Sequence, residues 1–190
     1  MSGYFMQDVD AFFGTEAAEL EFGGKPRGLR LWRHLIPQLC LNPGLLAVAL
    51  YRASRWFKVR GLEIPSRLID RFNEAVNGIQ ITGLTDLGPG LQIHHPSGIV
   101  LSPLMRSGRN LTLLGAAVTT GLRDVTGDPY EQWVRIGDNV TVATGAKLLG
   151  PLTIGDNAHI GPNVVLMQDV PAGAVVIVGA RPKVIVREAD

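Results

Sequence analysis

IGDNVTVATGAKLLGPLTIGDNAHIGPNVVLMQDVPAGAVVIVGA, residues 136 to 180, carries an apolar residue at every sixth position, and that period decides the fold. The series runs Ile136, Val142, Leu148, Ile154, Ile160, Leu166, Ala172, Val178 and, past the quoted stretch, Val184. Apolar residues make up 46% of the chain, so nine such positions in succession arise by chance roughly once in a thousand. One residue after many of these anchors stands a small residue: Gly137, Ala143, Gly155, Gly161, Gly173, Gly179. Three residues after them come Asn139, Gly145, Pro151, Asn157, Asn163 and Asp169, all of which favour turns or tolerate positive φ. A helix needs a period of 3.6 and does not accept this density of Gly, Asn and Pro. Short strands joined by tight corners do, and the fold class is a parallel β-solenoid. Three hexads close one coil, which places Ile154 and Ala172 beneath Ile136, and Ile160 and Val178 beneath Val142, in aliphatic columns.

Upstream the same step returns as Ile81, Leu87, Ile93, Ile99, Met105, Leu111 and Ala117. Between the two series, residues 122–135 (LRDVTGDPYEQWVR) have no anchor rhythm. Stacked coils cannot absorb an insertion, so this segment is an excursion loop, and its Trp133 and Arg135 suit ligand recognition. The first third reads as helical. Asn42-Pro43 supplies an N-cap and an N1 proline for a helix running to Gly61, and Pro65 opens a second that stops at Gly78. The expected organisation is a short α-helical N-terminal region, 1–78, a mainly β domain of about five coils, 79–186, and a tail, 187–190.

Charge excludes one large class of partner. The chain has 190 residues, 18 Lys+Arg against 17 Asp+Glu, and no field that would gather nucleic acid. The charges are segregated, however. Asp8, Asp10, Glu16, Glu19 and Glu21 precede a basic block of Lys25, Arg27, Arg30, Arg33, Arg52, Arg55, Lys58 and Arg60. The two stretches either pair with each other or, with Trp56 and Phe57 as interfacial anchors, form a peripheral membrane contact. The single cysteine, Cys40, permits no internal disulfide and no cysteine-based metal site. No apolar run reaches membrane-span length, and a cytoplasmic location is expected.

The candidate chemistry lies in IHHPSGIV, residues 93–100. His94 and His95 are adjacent, so on a strand they face opposite sides and cannot both hold one metal ion. A histidine at such a position is a general base or a hydrogen-bonded structural residue. The block IHHPSGIVLSPLMRSGRNLTLLGAAVTTG together with VTVATGAKLLGPLTIGDNAHIGPNVVLMQDVPAGAVVIVGARPKVI resembles the hexapeptide-repeat acyltransferases, and among them the serine acetyltransferases, over roughly residues 42 to 186. That resemblance implies a left-handed β-helix, a homotrimer with each active site between two prisms, and acetyl-CoA as donor. His95 matches the family's base, which takes the proton of an acceptor hydroxyl as it attacks the thioester.

Several positions depart from the serine-specific pattern. His94 stands where the family has an Asp that contacts the serine amino group, and Gln80 where an Asp orients the imidazole. Trp133 and Arg135 lie where the loop carries an Arg-His pair. With the IHH motif and the ending VGARPKVIV, these departures resemble the branch found in exopolysaccharide and colanic-acid gene clusters. That branch implies O-acetylation of a sugar hydroxyl. On this reading His95 and Gln80 are catalytic, His94, Trp133 and Arg135 bind the acceptor, and Gly121, Ala143, Thr144 and Gly161 line the acetyl-CoA arm. Arg181 or Lys183 meets a CoA phosphate, and no metal takes part. The alternatives are a serine or related amino-acid O-acetyltransferase and a non-catalytic scaffold.

Overall fold

Three parallel sheets wrap into a prism whose interior is the set of aliphatic columns. The computed structural model describes residues 2–13, 36–115, 118–122 and 133–179. One sheet contains β1 (Asp86–Leu87), β3 (Arg106–Ser107), β6 (Val134–Ile136) and β9 (Leu152–Ile154). A second contains β2 (Gln92–Ile93), β4 (Thr112–Leu113), β7 (Thr141–Val142), β10 (His159–Ile160) and β12 (Val175–Val176). The third contains β5 (Thr119–Leu122), β8 (Lys147–Gly150) and β11 (Val165–Leu166), extended upward by single bridges from Thr119 to Val100 and from Val100 to Gln80. Consecutive strands lie on different faces, as the six-residue period requires. Leu87, Ile93, Ile99, Met105, Leu111, Ile136, Val142, Leu148, Ile154, Ile160 and Leu166 are all buried. Ala117 and Val184 lie outside the described residues.

The coils differ in length. In the middle of the prism Arg135 pairs with Thr153 and Thr141 with His159, the register that three hexads per coil require. Above, Asp86 pairs with Arg106 and Gln92 with Thr112, so each coil there is two residues longer and Ile93 stacks on Leu113. Below, Ile154 bridges to Val170 and Ile160 pairs with Val176, a register two residues shorter than three hexads. Ala172 and Val178, which the strict count puts in the columns, are therefore exposed, and Val170 and Val176 take their places. The cause is a tighter corner after Leu166, closed by Thr153 N donating to Asp169 Oδ1 at 2.7 Å.

Corner chemistry follows the sequence pattern closely. Asn110, Asn139, Asn157 and Asn163 have φ of 56°, 56°, 58° and 56°, a region that asparagine tolerates better than other residues with a side chain. Three of them stack as an amide ladder, Asn110 Nδ2 to Asn139 Oδ1 at 2.8 Å and Asn139 Nδ2 to Asn157 Oδ1 at 3.2 Å. Beside the ladder Gly137 is obligatory, since a Cβ there would sit 2.2 Å from Asp156 Oδ1. Across the excursion, Arg106 pairs with Arg135 and Thr112 with Thr141, so the coils on either side of it stack directly. The extra length lies between β5 and β6, where residues 123–132 fall outside the described set.

Helices cover the open upper end of the prism. They are α1 (Ser2–Phe13), α2 (Pro43–Lys58) and α3 (Glu63–Asn77), with a further helical segment over 36–41. Asn42 caps α2 by accepting from Leu45 N at 3.1 Å, and Gly78 ends α3 at φ 66°. At the centre, Arg52 is 5% exposed and Asp8 is fully buried. Arg52 Nε donates to Asp8 Oδ2 at 2.7 Å and Nη2 to Oδ1 at 3.0 Å, while Nη1 and Nη2 also donate to the carbonyls of Leu87 and Gly88. Asp8 Oδ1 accepts from Leu91 N at 2.8 Å. Burial raises the Tyr51 pKa, so the phenol stays protonated; it donates to Thr85 O and accepts from Leu87 N.

Part of the basic block is thus internal. Arg52 pairs with Asp8, Arg55 with Asp86 and Lys58 with Glu63. All three of these cations are paired with carboxylates. Glu16, Glu19, Glu21, Lys25, Arg27, Arg30 and Arg33 lie outside the described residues. Among the described residues no helix is long and apolar enough to cross a membrane.

Removing one partner of a buried pair leaves the other charge uncompensated. Asp8→Ala is expected to lower unfolding free energy by about 3–5 kcal/mol in denaturant titration. Lys58→Ala, which breaks an exposed pair, should change it by under about 1 kcal/mol.

Candidate active site

His94 and His95 close β2, where the chain turns from the second sheet to the third. The turn is fixed by Ile99 N donating to Pro96 O at 3.1 Å and by Gly98 at φ 77°. Both histidines are exposed, while the flanking Ile93 and Pro96 are buried. A backbone ladder runs down the same edge. His94 N donates to Leu113 O at 3.0 Å, Leu114 N to Val142 O at 3.0 Å, Ala143 N to Ile160 O at 2.8 Å and Gly161 N to Val176 O at 2.8 Å. His94, His95, Ala143, Thr144 and Gly161, selected separately from the sequence, therefore share one edge. Below them a groove is lined by Val165, Met167, Val176, Ile177 and Val178.

The remaining candidates lie elsewhere. Gly121 is on β5 in the third sheet, paired with Leu149. Arg135 is on β6 in the first sheet, its guanidinium 4.3 Å from the centre of the Trp133 ring. That face is not the edge carrying His95, so one chain does not bring these two residues to the histidines. The Gln80 amide donates to Glu74 Oε1 at 2.7 Å. The two residues share a cleft with Arg67, Asp70, Arg71 and Thr82. Arg181 and Lys183 lie outside the described residues.

Two neighbours of the histidines carry no sequence signal. Phe12, at the end of α1, lies with its ring 6.2 Å from the His94 ring at 45°, and Gln92 Nε2 donates to Ala11 O nearby. Gly115 lies directly beneath His95. Its φ is 94°, and a Cβ would fall 2.1 Å from His95 O and 2.5 Å from His95 Cβ. Gly44, early in α2, approaches the same strand from above, where a Cβ would overlap Ile93 O at 1.6 Å. The backbone carrying the histidines is thus clamped between two glycine contacts.

In the neighbouring cleft, burial raises the Asp70 pKa above its ordinary value. The hydrogen bonds from Ser54 and the Gly83 backbone and the charge of Lys58 offset this only in part.

Residues 134–168 match the family described as bacterial transferase hexapeptide (six repeats). A serine acetyltransferase of Helicobacter pylori (strain J99 / ATCC 700824) is 30% identical over 150 residues, covering 79% of this chain and 85% of the relative. The chain belongs to the serine acetyltransferase family. It is an acyltransferase, and its prism is the left-handed β-helix of that family. A Mycobacterium tuberculosis serine acetyltransferase is 31% identical, but the chain spans only 58% of its length. Among solved structures, Neisseria gonorrhoeae serine acetyltransferase in complex with serine superposes with a TM-score of 0.72 at 26% identity, over 95% of this chain and 68% of the other. Entamoeba histolytica serine acetyltransferase isoform 3 in complex with cysteine gives a TM-score of 0.72 at 25% identity, over 97% and 60%.

These relatives overturn the expectation of a sugar acceptor and of an exopolysaccharide-cluster branch. They are serine acetyltransferases, and the solved complexes hold an amino acid. The departures at residues 80, 94 and 133–135 from the serine-specific pattern do not by themselves name another acceptor. Groups from another element can supply a missing contact, and α1 does pack against His94.

Gly115→Ala is expected to displace His95 and lower acyl transfer by about 10-fold or more, with acetyl-CoA affinity nearly unchanged in a direct titration. Asp70 gives a pH test. Its raised pKa in the fold means that stability is full below the unfolded-state pKa of about 4 and declines as pH rises through the folded value. Asp70→Asn should therefore raise the melting temperature at neutral pH, and the gain should vanish in melts near pH 3.

Proposed function

We propose that this chain transfers the acetyl group of acetyl-CoA to the hydroxyl of serine or a closely related amino acid, with His95 as general base. One observation carries this reading: the histidine pair tops an edge of small residues in a chain 30% identical to a serine acetyltransferase over 85% of that relative's length. His95 takes the hydroxyl proton as the oxygen attacks the thioester carbonyl. A backbone N–H of the edge other than those committed to the ladder holds the oxyanion. Its collapse expels CoA as a thiolate, which recovers the proton from the imidazolium.

Ala143, Thr144 and Gly161 take the pantetheine arm because small side chains let it reach backbone groups, and the apolar groove below continues that path. Gly121 borders the arm from the third sheet, and Arg181 or Lys183 meets the CoA phosphates. The active unit is a homotrimer. Packing prisms side by side lets Trp133 and Arg135 of one copy approach the histidine edge of the next, where the Arg135 guanidinium suits the acceptor carboxylate. His94 contacts the acceptor amino group. Residues 1–78 form the helical part and 79–186 the transferase domain.

The test is thiol release from acetyl-CoA in the presence of L-serine, homoserine, free sugars or nucleotide sugars. Serine or homoserine should be acetylated, and His95→Ala should lower turnover by about 100-fold or more with little change in acetyl-CoA KM. Transfer confined to sugars, or ordinary turnover by His95→Ala, would overturn the proposal.

A further inference from the structure

A cavity of about 270 Å³ lies between the start of α1 and the end of α2. Tyr4, Trp56 and Val59 supply its apolar walls, and the charged side chains that line it are all cationic: Arg52, Arg55 and Arg60. Two of these cations are already matched, Arg52 by Asp8 and Arg55 by Asp86. Arg60 is not. Its guanidinium lies 4.0 Å from the centre of the Trp56 ring, and its only hydrogen-bond acceptor among the described residues is the Trp56 carbonyl, 3.1 Å from Nη1. A guanidinium carries more N–H groups than that one contact uses. Gly3 also borders the cavity, and a Cβ built there would meet no atom within 4 Å. The space is below the roughly 300 Å³ at which sites for drug-sized molecules begin, so it suits a molecule of one or two rings and not a nucleotide or a peptide helix.

We propose that this cavity binds an aromatic monocarboxylate. Charge sets the valence of the ligand. With Arg52 and Arg55 paired, the lining keeps the charge of Arg60 alone, which one carboxylate matches and a doubly charged phosphate monoester exceeds. The planar fork of a guanidinium also fits the two oxygens of a carboxylate. The walls set its body, because a planar ring gains stacking or edge contacts against Tyr4 and Trp56 that an aliphatic chain does not. Both walls are in place before a ligand arrives. The Tyr4 ring centre is 5.4 Å from the Arg52 guanidinium, and Trp56 makes an edge contact with Phe57 at 4.8 Å between ring centres. The cavity is separate from the histidine edge: Tyr4 and Phe12 stand about 12 Å apart along α1, and it is Phe12 that packs against His94. The proposal is therefore independent of which hydroxyl is acetylated.

Calorimetric titration of the full chain with indole-3-carboxylate, and with the neutral indole-3-carboxamide as its control, tests the proposal. The acid should bind once per chain and about 10-fold or more tightly than the amide. Saturating L-serine and acetyl-CoA should leave the titration unchanged. Arg60→Gln, at an exposed position, should reduce the affinity for the acid to that for the amide. Gly3→Leu, which puts a side chain into open space, should abolish binding of both with unchanged circular dichroism. Tyr4→Ala should weaken acid and amide alike, by about 5-fold. Absence of binding, equal affinity for acid and amide in the unaltered chain, undiminished binding by Arg60→Gln and Gly3→Leu, or competition by serine or acetyl-CoA would each overturn the proposal. So would sedimentation of the chain with phosphatidylserine vesicles that is lost in Arg60→Gln, since that result gives the cavity to a lipid surface.

Discussion

A stack of parallel coils has an end, and at that end backbone groups lose the partners that the next coil would supply. Here the ion pair of Asp8 and Arg52 supplies them. The carboxylate takes the Leu91 N–H and the guanidinium takes the Leu87 and Gly88 carbonyls, so two charges desolvated together also satisfy three backbone groups of the first coil. Tyr51 extends the arrangement to Thr85 and Leu87. The same contacts fix α1, and through α1 they set Phe12 against His94. Terminating the solenoid and shaping one side of the candidate site are therefore a single structural event.

The columns are legible in the sequence because the prism interior admits only aliphatic side chains, and the corners because they demand Asn or Gly in left-handed conformations. Coil length is less legible. A step of six along the chain keeps each anchor inside whether a coil spans three hexads or slightly more, so Leu87, Ile93 and Leu111 stay buried while their vertical neighbours differ from the strict count. The slip at Val170 is hidden for a related reason. Ala172 and Val178 are apolar as well, and the sequence pattern alone cannot distinguish a column residue from an apolar one at an exposed corner.

That five candidate residues share one edge is legible because a histidine pair and small residues recur at one corner of a regular coil. Glu74, which accepts from Gln80, is not: the contact spans a helix end and the first bridge of the prism. Gly115 is hidden because its need arises from the coil above, not from its own neighbours. The acceptor is where the sequence misleads, since the absent carboxylates at positions 80 and 94 point to a change of substrate when read alone. Such losses describe the base and one contact, while substrate class rests on the whole cleft.

The shortening of successive coils from the top of the prism to the bottom has an evolutionary consequence. A solenoid of uniform coils can lengthen by duplicating any of them, since every junction is equivalent. This one has a capped top and, among the described residues, only a short stretch, from β6 to β11, that keeps the three-hexad register. Growth or loss of a repeat elsewhere would leave anchors out of register on both sides of the join. The tapered part of the chain is thus closed to change by whole repeats and open only to substitution.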